Sequence, residues 1–305
     1  MDYWEKANHS WSEDSKRVIL TPTQRSRNLF FYIQEIGYFK APVPYYTERA
    51  YLPSYLIKFT LSGEGLLTYK DNQHQLKAGD LFFIDCQEYQ RYQTISEEPW
   101  EMDWIHLNGQ SVQSFYQEFT KDGHNTFHST GDPSENKIHH LITELIHMQQ
   151  GANARTDFQS SVAIHELLNE LILQKYQLDF EEEDIPPYVY KLKQYLDEHF
   201  KETITLDQLE QQFLLNKYQL SKDFSKFIGS PPIDYLISKK LSYAKDLLRY
   251  TEFTIRMISE EIGIENFAYF SRLFKAKTGL SPRDFRKFSL SLIHISEPTR
   301  QAEIS

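Results

Sequence analysis

The chain has 305 residues, of which 40% are hydrophobic and 15% aromatic, so it is long and apolar enough for two folded domains and is not expected to be disordered. Its single cysteine excludes an internal disulfide and a zinc site made of several cysteines. The sequence has no long apolar run and no signal segment, so we expect a cytoplasmic protein with no membrane partner.

The formal net charge of −10 is unevenly distributed. Residues 188–289 carry 17 Lys and Arg against 13 Asp and Glu, whereas residues 1–187 carry 15 against 28. A basic C-terminal module therefore follows an acidic module. Because contacts with phosphate need positive charge, we expect nucleic acid to bind at the C-terminal module.

The N-terminal part begins with a polar segment, residues 1–28, that has no clear period. It is either a disordered tail or an N-terminal arm that folds over the next domain. From residue 29 the pattern changes to short segments of β-forming residues separated by glycine turns. These segments are residues 55–61, 66–69, 75–76, 81–84 and 101–107. They predict a sandwich or barrel of the jelly-roll kind, whose interior is either a core or a ligand cavity.

Three segments with helical periodicity follow, at residues 110–119, 135–149 and 157–176. The last has a wide apolar face formed by Val162, Ile164, Leu167, Leu168, Leu171 and Ile172. This face must be buried on the barrel or on a second copy of the protein, so we expect these helices to contribute to a homodimer. This domain is predicted to span residues 29–178, and the acidic residues 179–187, which end in two prolines, are predicted to form the interdomain linker.

The C-terminal module, residues 188–289, contains one pattern twice. An apolar residue, serine, a basic residue, phenylalanine, glycine, proline and an aromatic residue recur in one register, fifty residues apart, in residues 220–235 and 270–285. A repeat of this length indicates one supersecondary unit used twice. The spacing of apolar residues within each copy predicts two short helices joined by a turn, as in a helix-turn-helix.

In the second copy, Thr254 is predicted to cap the first helix, and Gly263 is predicted to end it in the left-handed conformation. The second helix is predicted to begin at Asn266 and to stop at Gly279. The residues predicted to face inward are Ile255, Ile258, Ile262, Phe267, Phe270 and Phe274. The residues left facing outward are Ser271, Arg272 and Lys275.

The first copy differs in its turn, where Leu214 stands in place of glycine. The residues predicted to face inward are Leu206, Leu209, Phe213, Leu220, Phe224 and Phe227. The residues left facing outward are Tyr218, Ser221 and Lys222. Outward polar and basic residues on a short second helix meet the needs of a major-groove reader. The alternative is that they are ordinary surface residues of a helical bundle.

The last segment, residues 290–305, is different in kind. Its sequence resembles an in-frame translation of a transposase-based sequencing-library adapter. We therefore exclude it from functional interpretation and expect the native C-terminus to be missing.

Two sets of motifs carry a resemblance to a known family. In the C-terminal module they are residues 258–264, 269–275 and 278–286, and in the N-terminal module they are residues 61–65, 76–80, 99–100 and 104–106. With them, residues 25–288 resemble a two-domain, sugar-responsive transcriptional regulator of the AraC/XylS family. The resemblance implies an α+β protein with a cupin-like β-barrel and dimerisation helices, followed by an all-α domain with two helix-turn-helices.

The resemblance also implies partners and site residues. The partners are double-stranded DNA read in successive major grooves, RNA polymerase, a second copy of the chain and a small-molecule effector such as a sugar. The base-facing positions fall on Tyr218, Ser221 and Lys222 of the first reader helix and on Ala268, Ser271 and Arg272 of the second, with Asn266 at its start. Lys275 is expected to touch phosphate or solvent. The effector-binding positions fall on Arg49, Tyr92 and Trp104, the first two within a shift of one residue. Trp104 is alternatively an aromatic core residue in a barrel that holds no effector.

The sequence leaves two alternatives to a sugar-controlled regulator. Cupin barrels include metal enzymes, which need clustered histidines with a carboxylate. His74 and His106 do not make such a set, so we expect no catalysis, no metal and no cofactor. A regulator with no small-molecule ligand, controlled by a partner protein or by its abundance, is the other alternative.

Overall fold

In the computed structural model, which describes residues 2–178 and 180–295, the chain divides into two units, Met1–Asp179 and Phe180–Ser305. The strands of the first unit are β1 (Trp4–Asn8), β2 (Lys16–Ile19), β3 (Tyr32–Ala41), β4 (Tyr46–Ala50), β5 (Tyr55–Ser62), β6 (Gly65–Tyr69), β7 (Asn72–Leu76), β8 (Asp80–Asp85), β9 (Gln90–Thr94), β10 (Trp100–Asn108) and β11 (Thr126–His128). Its helices are α1 (Gln24–Leu29), α2 (Val112–Phe119), α3 (Lys137–Gln150) and α4 (Thr156–Lys175).

The strands form two antiparallel sheets, with the orders β1-β4-β9-β6-β7 and β11-β8-β5-β10-β3-β2. Side chains from both sheets, including Phe39, Leu67 and Trp100, pack together in one buried cluster between them. The predicted barrel-like pairing of sheets is therefore confirmed. The short β-segments read from the sequence correspond to β5, β6, β7, β8 and β10.

Strands β5 and β10 explain why the sequence there is almost continuously apolar. On β5, Leu56 points to the space between the sheets, whereas Ile57 and Phe59 point to a second core on the outer face. Helices α2, α3 and α4 cover that outer face. Because both faces of these strands are covered, the residues of both alternating sets are buried.

Helix α4 packs on the sheet through Ile164, Leu167, Leu168 and Leu171, all of which are buried. Val162 was wrongly included in the predicted apolar face, because its side chain is 70% exposed. Val162 lies two residues from Ile164, which is about 200° around a helix, so the two side chains cannot face the same sheet.

Residues 1–28 contribute to both sheets. Strand β1 pairs with β4, and β2 pairs with β3. Between them, the Trp11 ring stacks on Phe39 with a centroid distance of 4.6 Å. The N-terminal segment therefore lies against the barrel over much of its length.

The second unit is helical. Its helices are α5 (Pro187–Glu198), α6 (Leu206–Phe213), α7 (Lys217–Ile228), α8 (Pro232–Tyr250), α9 (Ile255–Glu261), α10 (Phe267–Thr278) and α11 (Pro282–Ile295). One core gathers α5, α6, α7 and the start of α8, and a second gathers the rest of α8 with α9 and α10. The two predicted helix-turn-helices are therefore present, joined by the long helix α8.

At both ends of this unit, residues near the predicted boundaries take part in contacts or in a helix. Within the segment predicted as a linker, the Phe180 ring contacts Phe227 with a centroid distance of 4.8 Å, and Ile185 packs on the first helical core. At the other end, α11 continues to Ile295. Residues 290–295 contain no glycine or proline that would stop the helix. The rest of the adapter-like segment, residues 296–305, lies outside the described residues.

The predicted inward face of α10 needs one correction. Phe270 and Phe274 are buried as predicted, but Phe267 is exposed. Phe267 is the first residue of α10, and the side chain that completes the buried stripe is Leu273 instead.

No helix within residues 2–178 and 180–295 is long and apolar enough to cross a membrane.

A polar cluster around Asp197 connects α5 to α8. Its carboxylate accepts hydrogen bonds from Tyr235 Oη (2.7 Å) and forms ion pairs with Lys239 (2.8 Å) and Lys193 (3.1 Å). Partial burial opposes ionisation of Asp197, but these contacts outweigh it and lower its pKa to about 2. A depressed folded-state pKa stabilises the fold above the unfolded-state pKa, and this stabilisation is lost as pH falls through the folded-state pKa.

We expect Asp197→Asn to destabilise the second unit by about 1 kcal/mol at pH 7, because it removes the charge from a networked carboxylate. The difference from wild type should shrink as pH falls from about 4 to about 2. Urea unfolding followed by circular dichroism at several pH values measures this. Asp246→Asn, at an exposed position of α8, is the matched control. A deficit that stays constant down to pH 2 would contradict the ion-pair explanation.

Candidate functional site

The four short helices of the two helix-turn-helices begin at capping residues. Thr205 Oγ1 accepts from the backbone N–H of Gln208, and Thr254 Oγ1 accepts from that of Met257. At the second helices, Asn216 Oδ1 accepts from the N–H of Tyr218 and Asn266 Oδ1 from that of Tyr269. The caps predicted at Thr254 and Asn266 are confirmed. These bonds satisfy N–H groups that a helix start leaves free, and so fix where each helix begins.

The turns of the two helix-turn-helices each contain a residue with left-handed backbone, but the residue type differs. Gly263 has φ of +67° and Leu214 has φ of +54°. Leucine pays a steric penalty there that glycine avoids, and the Leu214 side chain is 89% exposed. The first turn therefore keeps the helix-turn-helix geometry with an unfavourable residue.

Lys240 of α8 connects the turn of the second helix-turn-helix to the segment that leads into the first helix-turn-helix. Its buried Nζ donates to the carbonyl oxygens of Ile262 (2.7 Å), Glu202 (3.0 Å) and Gly263 (3.2 Å). Burial lowers the pKa of Lys240 to about 8. Because one side chain bonds to the loop after α5 and to the turn after α9, it holds the two helix-turn-helices in a fixed spacing. The sequence analysis did not single out Lys240.

The outward residues of α7 lie on one exposed face. Tyr218 is 76% exposed and Lys222 is exposed, with Ser221 between them at intermediate exposure. Their spacing of three and four residues places them side by side on the helix surface.

The corresponding residues of α10 form a similar face. Ala268, Arg272 and Lys275 are exposed, and Ser271 is half-buried. Asn266 differs from them, because its side-chain oxygen is occupied by the helix cap. Within the described part of the chain, neither Arg272 nor Lys275 forms an ion pair, and the same is true of Lys222 on α7. These cations are therefore not neutralised by neighbouring carboxylates.

The first unit contains a cavity of about 570 Å³ between its sheets. The three residues predicted to bind an effector, Arg49, Tyr92 and Trp104, all line it. They come from β4, β9 and β10, so the fold brings together residues from both sheets. Ten residues of the N-terminal segment, including Glu5 and Trp11, also line it. The cavity is therefore enclosed partly by the barrel and partly by the strands that precede it.

Arg49 is the centre of a polar network in this cavity. It donates from Nη2 to Tyr92 Oη (2.8 Å) and to His106 Nε2 (2.5 Å). Because a guanidinium can only donate, His106 accepts at Nε2, and its Nδ1–H donates to Ser54 Oγ at 3.0 Å. Burial, reinforced by the charge of Arg49, lowers the pKa of His106 well below its usual value, which agrees with a neutral ring.

The N-terminal strand supplies the counter-charge of Arg49. Glu5 on β1 lies directly opposite Arg49 on β4, and its Oε2 is 3.1 Å from Arg49 Nη1. This contact links the position of the N-terminal segment to the side chain predicted to bind the effector.

Lys58 is a cavity residue that the sequence analysis missed. It lies on β5 between Leu56 and Thr60, on the face directed between the sheets, and it is 2% exposed. A signal was available, because a single lysine interrupts the apolar alternation of that strand.

The arrangement of possible metal-ligating side chains bears on the metal-enzyme alternative. Among residues 2–178 and 180–295, no three or more His, Cys, Asp or Glu side chains are grouped so as to hold a metal ion. His106 is hydrogen-bonded within the cavity, while His74 lies on β7 opposite Leu67.

Comparison with known proteins gives the same two units. Residues 33–171 match the AraC-like ligand binding domain, and residues 209–287 match a helix-turn-helix domain family. The chain is 25% identical over 240 residues to the Msm operon regulatory protein of Streptococcus mutans, covering 77% of this chain and 84% of the relative. It is 26% identical over 247 residues to the arabinose operon regulatory protein of Salmonella typhimurium, with the same coverages.

A third relative is the lactose operon transcription activator of Staphylococcus xylosus, which is 23% identical over 241 residues, covering 76% of this chain and 83% of the relative. In each of these relatives the match runs through most of the protein, and the two domain matches fall in the order of the two folded units. The chain therefore belongs to the AraC/XylS family of DNA-binding transcriptional regulators.

Proposed function

We propose that this regulator is a cytoplasmic activator of carbohydrate-use genes and that a sugar bound in the barrel cavity switches it. The observation that carries the proposal is the convergence of Arg49, Tyr92 and Trp104 in one cavity next to the N-terminal strand. Indole and phenol rings offer flat apolar faces to a sugar ring, while arginine donates to its hydroxyls. The regulator itself catalyses no reaction and uses no metal or cofactor. Two of these relatives are named for sugar operons, one for arabinose and one for lactose, and the second of them is named an activator.

On DNA, α7 and α10 enter successive major grooves. Arg272 bonds bidentately to a guanine, and Lys222 reads a base less rigidly from α7. Ser221, Ser271, Tyr218 and Ala268 complete the base-facing surfaces, and Lys275 binds phosphate. Asn266 supports α10 through its cap and brings the helix start near the DNA. Lys222, Arg272 and Lys275 form no ion pair among the described residues, which supports these roles.

The active form is a homodimer that contacts RNA polymerase at the promoter. Support for self-association comes from α4, where Phe158 and Val162 remain exposed on the side facing away from the sheet. Phe30 and His165 line the same shallow apolar hollow. An apolar helix face of this kind is suited to pack against its own copy around a two-fold axis.

The switch acts through the N-terminal strand. A sugar that hydrogen-bonds to Arg49 changes the contact between Arg49 and Glu5, and so favours a different position of β1. Binding then shifts the population of regulator molecules that can occupy both half-sites.

The test is thermal unfolding of the full chain, followed by tryptophan fluorescence, with a panel of sugars, sugar phosphates and sugar acids. All four tryptophans, at positions 4, 11, 100 and 104, lie in the first unit, so the signal reports on the domain that would bind the effector. A true effector at a hundredfold excess over its Kd should raise the midpoint by about 5 °C or more.

The panel should be repeated with Arg49→Met and with Arg91→Met as its matched control. Arg91 is on β9 and pairs with Glu48, and it does not line the cavity. We expect Arg49→Met to abolish the shift and Arg91→Met to keep it. If no compound raises the wild-type midpoint, control by a partner protein or by abundance replaces control by a sugar.

A further inference from the structure

Lys58 is held in the cavity with no acidic partner among the described residues. Its Nζ lies 3.2 Å from Met102 Sδ and 3.4 Å from Tyr45 Oη. It lies 4.1 Å from the centre of the Tyr92 ring and 5.1 Å from that of Trp100. In the described part of the chain no carboxylate oxygen lies within 4.0 Å of it. Aromatic faces attract an ammonium group, but they do not neutralise its charge.

Of the three other cations of the cavity wall, two are paired with carboxylates, and the third, Arg27, is exposed and donates to the carbonyl oxygen of Pro22. Arg49 pairs with Glu5 at 3.1 Å, and Arg17 pairs with Glu35 at 2.9 Å. These two carboxylates are the acids among the lining residues. Lys58 is therefore a buried cation that the wall leaves without a counter-charge.

The uncommitted polar atoms of the wall are mostly donors. Three buried atoms of the wall have no hydrogen-bond partner among the described residues: the donors Trp104 Nε1 and Arg49 Nε and the acceptor Gln34 Oε1. Burial, together with the charge of Arg49, lowers the pKa of Lys58 well below its usual value, so the charged form is costly among these neighbours. A ligand rich in acceptors and bearing negative charge would supply what these groups lack.

We propose that the effector is a carbohydrate with an anionic group, a phosphate or a carboxylate, which Lys58 and Arg49 bind together. This proposal rests on the sugar-controlled function above and narrows the class of sugar. The anionic group lies toward Lys58, and the rest of the sugar lies against Trp104 and the rings beside it. The group competes with Glu5 for Arg49, so its arrival weakens the contact that holds β1 in place.

The test uses the full chain in calorimetric titration against matched compounds: glucose with glucose 6-phosphate and glucuronate, and galactose with galactose 6-phosphate and galacturonate. Inorganic phosphate alone is a further arm. For at least one sugar, an anionic form should bind about 10- to 100-fold more tightly than the neutral parent, as expected for a charge-assisted hydrogen bond. Whether the phosphate or the carboxylate is preferred identifies the source of the charge.

Lys58→Met tests the residue, because methionine fills a similar volume without the amine. We expect it to remove the preference for the anionic form while changing the affinity for the neutral sugar less than about threefold. Lys70→Met is the control, since Lys70 lies in the turn after β6 and pairs with exposed Glu88. Tryptophan-monitored unfolding without ligand verifies that each variant is folded.

The outcomes separate the two proposals. If a neutral sugar binds at least as tightly as its anionic forms, control by a sugar stands and the anionic class is wrong. If Lys58→Met keeps the full preference for the anion, the assignment to Lys58 is wrong. If no sugar or sugar derivative binds, or inorganic phosphate alone accounts for the binding, both proposals fail.

Discussion

Replacing Arg272 by alanine is expected to lower the affinity for a specific DNA site by about 10- to 100-fold, since a bidentate arginine contact to a base is worth about 1–3 kcal/mol. Arg272 is exposed on α10 and, among the described residues, has no acidic partner. The affinity can be measured by fluorescence anisotropy on a site that the wild-type protein selects from a random duplex library. Binding to non-specific DNA should fall much less, because it depends on phosphate contacts.

Arg256→Ala is the matched control. Arg256 is also an exposed arginine of the second helix-turn-helix, but it lies on α9 and pairs with Glu260. It should leave specific affinity within about threefold of wild type, since a contact to phosphate or solvent carries no sequence information. Equal losses for both variants, or an unchanged footprint for Arg272→Ala, would show that α10 does not read bases as proposed.

The helices of the second unit follow from the sequence because their signals are local. Thr254 and Asn266 are good caps, Gly263 and Gly279 tolerate left-handed backbone, and each apolar stripe has the helical period. Such signals depend on residues within one or two turns of each other. The exposure of Phe267 could not be read in this way, since it depends on how far the neighbouring helices extend.

The cavity is less accessible to sequence analysis, because its residues are distant in the chain. Glu5 and Arg49 meet only through the pairing of β1 with β4, and the pairing register of an N-terminal strand has no local signal. Lys58 is visible as an interruption of an apolar strand, but its lack of a counter-charge depends on which residues surround it. The resemblance supplied Arg49, Tyr92 and Trp104, and the structure adds the neighbours that define their chemistry.

The largest expected effect on the fold is that of Gly263→Ala. A Cβ at this position would lie 1.6 Å from the carbonyl oxygen of Lys201 and 2.9 Å from Lys240 Nζ. The left-handed backbone adds strain of about 1–2 kcal/mol, and forcing an atom into a packed contact adds about 1–3 kcal/mol. We therefore expect the second unit to lose about 3 kcal/mol of stability. Circular dichroism at 222 nm measures this in urea, while tryptophan fluorescence reports that the first unit is unchanged.

Gly229→Ala isolates the backbone contribution. Gly229 also has positive φ, at +88°, but a Cβ there would meet no atom within 4 Å. It should therefore cost only about 1 kcal/mol. The difference between the two variants measures the close contact between the second turn and Lys201.

That contact and the bonds of Lys240 fix the spacing of the two reader helices, so Gly263→Ala should also weaken binding to a site with both half-sites. Its affinity for a site that carries only the α7 half-site should stay near that of wild type. Equal stability losses for Gly229→Ala and Gly263→Ala would mean that the second turn yields to the added atom, and that its contact with Lys201 does not set the spacing.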